Sequence, residues 1–292
     1  SMLFAGISGS STADAAGIGS LMIPAMKKQG YDTSFSVAIT ACSSVMGVII
    51  PPSILMIVWG GLMSVSIGGL FLAGVVPGFL MAVFMMSTVL VYAKIRNYPI
   101  YQRASLKEFI SAFGQAIFAL VTPAIIVGGI VLGFFTPTEA SVVAVIYSAL
   151  LGGLIYRKIG IKEFSKVLYD SARLAAISLF CIGTASAFGW LLAYYRVPQE
   201  LVNFLAAYGT GIITTGFIVA LAFLVIGMFI DAIPAIIILG TILLPVANKV
   251  GMHPIHFAII GVISLAFGLV TPPYGLCLLI SCALGKIKVV DA

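Results

Sequence analysis

Apolar residues along this chain come in long blocks separated by short polar stretches, without the regular alternation of a soluble sheet. The blocks at 69–93, 114–135, 138–156 and 174–195 each predict a helix that crosses a membrane. Gly74-x-x-x-Gly78 and Gly129-x-x-x-Gly133 supply small-residue stripes for close helix packing. Two more polar stretches, "YPIYQRASLKEFISA" at 98–112 and "IKEFSKVLYDS" at 161–171, predict amphipathic helices that do not cross. "TPTEA" at 136–140 reads as a helix start, with Thr136 as cap, Pro137 in the first turn and Glu139 reaching back.

Two further blocks, at 35–64 and 254–285, are long enough to cross but are interrupted, by "GVIIPPSILM" (47–56) and "GLVTPPYGLC" (268–277). Adjacent prolines remove backbone donors and clash with the preceding turn, so each block predicts a broken helix. Ahead of each break stands a pair of short helical segments around a polar tip. The first tip is "GISGSSTAD" (6–14), followed by a half-length helix to residue 29. The second joins 211–229 to 233–248 at Asp231.

Shifted by 221 residues, the two regions superpose without a gap. Gly6 meets Gly227, Gly19 meets Gly240, Pro24 meets Pro245, Lys28 meets Lys249 and Gly30 meets Gly251. Ser43 meets Ser264, Gly47 meets Gly268, Pro51-Pro52 meets Pro272-Pro273 and Leu55 meets Leu276. If both helical pairs are re-entrant hairpins, five crossings separate their mouths, so the repeats are inverted. The expected fold is an all-α polytopic membrane protein with two re-entrant hairpins and two broken helices. Its divisions would be 1–65 for the first repeat, 66–195 for scaffold spans and amphipathic arms, and 196–292 for the second repeat.

Composition agrees: 61% of the 292 residues are hydrophobic and 8% charged, a balance that excludes a soluble domain. The net charge of +6 is read as basic loops on one membrane face rather than a nucleic-acid surface. On the proposed topology one side receives Lys27, Lys28, Lys94, Arg96, Arg103, Lys107, Arg157, Lys158, Lys162, Lys166, Arg173, Lys286 and Lys288. The other receives Arg196 and Lys249. The bias places the first hairpin mouth toward the cytoplasm and the second outside. Four cysteines without a CxxC spacing predict neither a metal cage nor a disulfide framework. The Ser1 start and the stop just past a helix are expected of an internal piece of a longer polypeptide.

The breaks suggest the chemistry. Unwound backbone inside a membrane is tolerated where it lines a cavity, and freed carbonyls are ligands for a small hard cation. Ser8, Ser10, Ser11 and Thr12 add hydroxyls at the first tip, either as ligands or as caps of the following helix. Asp231 occupies the position of Ser10 in the second repeat. It either caps the helix containing Pro234 or serves a site. Asp14 ranks below it, as a residue that could simply face a neighbouring helix. His253 and His256 lack a third ligand nearby. No catalytic triad, Walker loop or dinucleotide fingerprint occurs, so the chain is not expected to be an enzyme or to hold a cofactor.

The stretches "FAGISGSSTADAAGIGSLMIPAMKKQGY", "VIIPPSI", "GGIVLGFFTPTEAS" and "GLVTPPYGL" resemble the large membrane (M) subunit of TRAP, the tripartite ATP-independent periplasmic transporters, over essentially the whole chain. Members are longer, so the resemblance implies that the first helices and the last one or two lie outside these residues. It implies the ion-transporter superfamily fold, an elevator domain, and a location in the bacterial inner membrane. It also implies sodium-coupled uptake of a carboxylate-bearing organic anion, with the wording of the motifs nearest the sialic acid branch. The implied partners are a small membrane (Q) subunit, fused or separate, and a soluble periplasmic substrate-binding (P) protein. Carried over by position, one sodium would draw on Ser8, Gly9, Ser10, Ser11 and the carbonyls from Gly47 to Pro52, Pro51 among them. A second would draw on Asp231 and the run from Gly268 to Pro273, including Thr271 and Pro272. The anion would lie near Ser10, Thr12, Asp231 and Tyr274. The competing readings are a stand-alone sodium/dicarboxylate symporter, a C4-dicarboxylate TRAP transporter, an ion channel and a membrane enzyme. The inverted repeat argues against a channel, whose ligand rings come from oligomeric symmetry.

Overall fold

The computed structural model describes residues 1–98, 105–207 and 211–292, and every regular element among them is helical. The first repeat comprises α1 (Met2–Ser8), α2 (Ser11–Lys28), α3 (Thr33–Ser44), which tightens into a 3-10 turn at Val45–Val48, and α4 (Ile54–Met63). A middle section follows: α5 (Ile67–Ile95), α6 (Leu106–Val131), α7 (Pro137–Leu150) with a π-turn at Leu151–Ile155, α8 (Ile161–Tyr194) and α9 (Val197–Ala207). The second repeat is α10 (Ile212–Gly227), α11 (Ala232–Lys249), α12 (Pro254–Gly268) and α13 (Leu276–Gly285).

The 221-residue shift read from sequence holds in the backbone. It carries both ends of α2 onto those of α11, and the start of α3 onto that of α12. Gly30 and Gly251 adopt φ of 85° and 75°, the left-handed conformation that favours glycine, and turn the chain after α2 and α11. Just beyond, Tyr31 N–H donates to Met26 O (3.0 Å) and Met252 N–H to Ala247 O (2.9 Å), which satisfies a terminal carbonyl of each helix. Both Pro-Pro bonds, Pro51-Pro52 and Pro272-Pro273, are cis.

The repeats do not sit side by side; they exchange their last helices. α4 of the first repeat packs on α11 and α12 of the second, and α13 of the second packs on α2 and α3 of the first. The exchange is symmetric in detail. The Leu284 side chain covers Gly19, and the Met63 side chain, at the matching position, covers Gly240. Trp59 of α4 is fully buried at this crossing, against Gly261 and between the rings of Phe223 and Phe257, at 5.4 and 5.5 Å between centroids. Val45, Ile49, Met56, Phe223, Phe257 and Leu265 complete one apolar core drawn from both repeats.

Helix α5 lies against this core. Leu70 and Phe71 belong to it, Gly74 admits the Met56 side chain and the Ile49 carbonyl, and Gly78 admits Ile50. The expected stripe is therefore a real contact surface. The stripe expected at Gly129-x-x-x-Gly133 is not one. Gly133 lies past the end of α6 with φ of 76°, and Phe135 folds back over Gly129. The other faces of the middle helices present Leu72, Val76, Phe84, Phe180 and Trp190 outward. Four helices of the described residues are long and apolar enough to cross a membrane: α5, α7 with its π-turn, α8 and α11. α6 makes a fifth if its two parts, bent by 58° between Gly114 and Ala116, are one span. The chain is a polytopic helical membrane protein.

Two boundaries differ from those expected. The amphipathic stretch at 161–171 and the span at 174–195 are one continuous helix, α8, because no glycine or proline separates them. The stretch expected at 98–112 is helical from Leu106, where Ser105 and Glu108 form a capping box, and it runs on into α6; residues 99–104 lie outside those described. The start of α7 is as read, with a capping box between Thr136 and Glu139 and Pro137 in the first turn. Helix α9 had no counterpart in the sequence reading.

Candidate functional site

The first tip is the short link between α1 and α2. Gly9, left-handed at φ 65°, ends α1, and Ser10 caps α2 by accepting from Ala13 N–H (3.4 Å). Ser10 and Thr12 face each other through their hydroxyls, 3.0 Å apart. Beneath them the Ser8 hydroxyl donates to Asp14 Oδ1. Asp14 is fully buried, and its Oδ2 has no hydrogen-bond partner among the described residues. A buried carboxylate oxygen without a donor is costly, which makes Asp14 a candidate ligand.

The first break is laid directly on this tip. Ile54 N–H, just after the prolines, donates to Gly9 O (3.1 Å). The position a Cβ would take on Gly47 lies 2.7 Å from Asp14 Oδ2 and 2.9 Å from the Ser10 carbonyl. At Gly9 it would lie 2.8 Å from Pro52 O. Only the absence of side chains at Gly9 and Gly47 lets the two pieces of backbone meet. The Ser53 hydroxyl caps α4 and donates back to Val48 O (2.6 Å), a carbonyl released by the break. Ser8, Gly9 and Ser10 of the tip thus meet Gly47 and the Pro52 carbonyl of the break, and Asp14 lies between Ser8 and Gly47; Ser11 opens α2 beside them, and Pro51 lies within the break.

The second break repeats the arrangement with fewer polar groups. Tyr274 N–H donates to Met228 O (3.0 Å), and Gly268 lies so close to Gly227 that a Cβ would sit 2.7 Å from its backbone. Thr271 donates to Phe267 O (2.7 Å), which leaves its oxygen lone pairs free, and Pro272 is exposed. Asp231 occupies the N-cap position of α11 without making a cap hydrogen bond, and it is exposed. The capping role weighed from sequence is therefore not realised. Among the described residues no hydrogen bond joins Ser10 and Thr12 to Asp231 and Tyr274. His253 caps α12 through its ring nitrogen, and no group of metal-ligating side chains occurs among the described residues.

Both breaks thus offer carbonyl oxygens beside an unwound turn, which a small hard cation accepts, and the first tip adds hydroxyls. The first also offers Asp14 Oδ2, a carboxylate oxygen without a hydrogen-bond partner among the described residues. The sequence signal that could have promoted Asp14 is its spacing: six residues beyond Ser8, one turn into α2, it points back into its own tip.

Comparison with known proteins agrees. The family model described as "Tripartite ATP-independent periplasmic transporter, DctM component" matches residues 1–292. The chain is 37% identical to the C4-dicarboxylate TRAP transporter large permease protein DctM of Pseudomonas aeruginosa, over 97% of this chain and 66% of that protein. It is 34% identical to the sialic acid TRAP transporter large permease protein SiaM of Vibrio cholerae, over 98% and 67%. It is 38% identical to the isethionate TRAP transporter permease protein DctMQ of Oleidesulfovibrio alaskensis, over 99% and 46%. The chain thus spans about two thirds or less of the length of these relatives, which are named as permeases, not enzymes. With the match running from the first residue to the last, the chain belongs to the DctM, or large-permease, component family of the tripartite ATP-independent periplasmic transporters.

Proposed function

We propose that this chain forms the ion and substrate pathway of a sodium-coupled secondary transporter that takes up an organic anion across the bacterial inner membrane. The observation that carries the reading is the pair of helix breaks, 221 residues apart, each seated on the tip of its own helical pair. Secondary transporters bind substrate and coupling ion at broken helices related by inverted repeats. In this reading both helical pairs are re-entrant and the repeats are inverted. The first sodium is held by Ser8, the backbone around Gly47 and the Asp14 carboxylate. The second is held at Asp231 and the turn from Gly268 to Pro272, where sodium would bridge Asp231 to a carboxylate substrate. Ser10, Thr12 and Tyr274 face the anion.

The movement is of the elevator type, with residues 1–65 and 196–292 travelling against a scaffold. The exchange of α4 and α13 supports this, because interlocked halves move as one body. Helix α5 packs into that body, so we place it there and keep α6 to α8 in the scaffold. A small membrane subunit and a soluble periplasmic binding protein complete the system, as the family name implies.

Relatives at 34–38% identity are named for C4-dicarboxylates, sialic acid and isethionate, so the substrate proposed is an organic anion, with sialic acid first in the test panel. The test is uptake by proteoliposomes holding the complete membrane complex, with the binding protein outside. Uptake of a panel member that requires both an inward sodium gradient and the binding protein is expected. Sodium-dependent uptake without the binding protein would make it a stand-alone symporter, and sodium-independent uptake would refute the coupling.

A further inference from the structure

A proline removes the donor that a helical carbonyl four residues earlier would use, so Pro51 and Pro52 release the carbonyls of Gly47 and Val48. Neighbouring donors do not replace them, because Ile49 N–H (3.1 Å) and Ile50 N–H (2.8 Å) both go to Met46 O. Val48 O is taken instead by a side chain, the Ser53 hydroxyl (2.6 Å), and Gly47 O has no donor among the described residues. Ser53 is 0% exposed, and its oxygen in turn accepts from Met56 N–H (3.3 Å). The hydroxyl therefore stands between two backbone groups, Met56 N–H on one side of the prolines and Val48 O on the other.

The internal repeat shows what the same stretch of backbone does without it. Shifted by 221, Val48, Ser53 and Met56 become Leu269, Tyr274 and Cys277. There Cys277 N–H donates straight to Leu269 O (2.9 Å), with no side chain between them. Gly268 O, the counterpart of Gly47 O, receives Thr271 N–H (3.1 Å). At the second break both released carbonyls are thus met by backbone donors. The first is spanned through a hydroxyl and leaves open the carbonyl of Gly47, the residue packed against Asp14 and Ser10. Capping α4 requires Ser53 only to accept from Met56; its donation back across the prolines is what capping leaves unexplained.

We propose that Ser53 is a positioning residue: its hydroxyl, inserted between Met56 N–H and Val48 O, holds the first break open and keeps the Gly47 carbonyl available to a cation. Ser53 is not itself a ligand; it acts through the turn it spans. Without the hydroxyl, Met56 N–H can pair directly with Val48 O, as its counterpart does at the second break, and the turn draws in on Gly47. This deepens the sodium-coupled reading above and rests on it.

The test uses the complete permease. Sodium is titrated against uptake, and against the melting temperature of the purified complex with choline as the reference ion. The proteins compared are wild type, Ser53→Thr, Ser53→Cys, Ser53→Ala and Ser66→Ala. Ser66 is the exposed cap of α5, accepting from Gly69 N–H (3.2 Å), so its variant reports the loss of a helix cap alone. Sodium half-saturation of uptake should rise roughly fivefold or more in Ser53→Ala, with maximal uptake near wild type once sodium saturates. Ser53→Thr keeps the hydroxyl and should restore the wild-type value, and Ser53→Cys, a weaker donor and acceptor, should fall between. Sodium should raise the melting temperature of Ser53→Ala less than that of wild type, and that of Ser66→Ala equally. Equal half-saturation in wild type and Ser53→Ala, the same rise in Ser66→Ala, or no rescue by a folded Ser53→Thr would overturn the proposal. Should Ser53→Ala not fold, the order of wild type, Ser53→Thr and Ser53→Cys decides in the same way. A wild type indifferent to sodium in both titrations refutes the sodium reading, and the role of Ser53 falls with it. A wild type that responds to sodium while the Ser53 variants match it refutes the proposal alone.

Discussion

Replacing Gly47 by alanine is the sharpest perturbation the site allows. Gly47 lies in the 3-10 turn Val45–Val48 with no positive φ, so alanine fits the backbone and the insult is steric alone. The new methyl would stand 2.7 Å from Asp14 Oδ2 and 2.9 Å from the Ser10 carbonyl. Ordinary contact lies near 3.5 Å or beyond, so the tip has to retreat by roughly 0.5–1 Å. Ser10 is backbone at the capped start of α2, and Asp14 is held by Ser8, so neither yields cheaply. Overpacking of this kind costs about 1–3 kcal/mol. If that cost falls on the ion-bound tip, sodium affinity drops by about 5- to 150-fold. The assay is half-saturation of uptake by sodium, with a melting curve to confirm folding. Gly61→Ala is the control, since nothing lies within 4 Å of that position. Gly268→Ala, whose methyl would meet Gly227 backbone at 2.7 Å, should act similarly on the second site. If Gly47→Ala matches Gly61→Ala in sodium half-saturation, the first break does not form an ion site.

Other outcomes follow from the same geometry. Asp14→Asn keeps the shape of the buried carboxylate and removes its charge; it should raise sodium half-saturation about tenfold or more, and an unchanged value would exclude Asp14 as a ligand. Asp231→Ala should abolish uptake while leaving the melting temperature near wild type, because the side chain is exposed and makes no cap bond; wild-type uptake would remove it from the site. Pro272→Ala restores a backbone donor at the second break and should weaken the sodium dependence of uptake, which a titration of sodium would read directly. Trp59→Ala should cost about 3–5 kcal/mol, seen as a large drop in melting temperature, since the ring fills the crossing between repeats.

The repeat was legible because its marks are glycines and prolines, residues whose backbone roles show directly in sequence. Gly30 and Gly251 turn the chain, Gly47 and Gly268 let each break touch its tip, and the paired prolines stop α3 and α12 from continuing. The exchange of α4 and α13 was not legible, because Met63 on Gly240 and Leu284 on Gly19 are contacts between distant apolar residues that any neighbour could satisfy. The ranking of the two aspartates reversed in burial for a similar reason. Asp231 stood out by its apolar flanks yet is exposed, whereas Asp14 sits among small residues and is buried by Gly47, which arrives from another helix. Continuity of α8 is not legible because the change from amphipathic to apolar pattern imitates a boundary where no helix breaker stands.

The central claim is that the two breaks hold the ions that drive uptake. Its most direct test is the entry of radioactive sodium into proteoliposomes when substrate-loaded binding protein is added outside, with no imposed sodium gradient. The account predicts sodium entry in step with substrate in wild type, and neither in Gly47→Ala at the same low sodium concentration. Substrate accumulation without sodium entry, or unchanged sodium entry in Gly47→Ala, would contradict it.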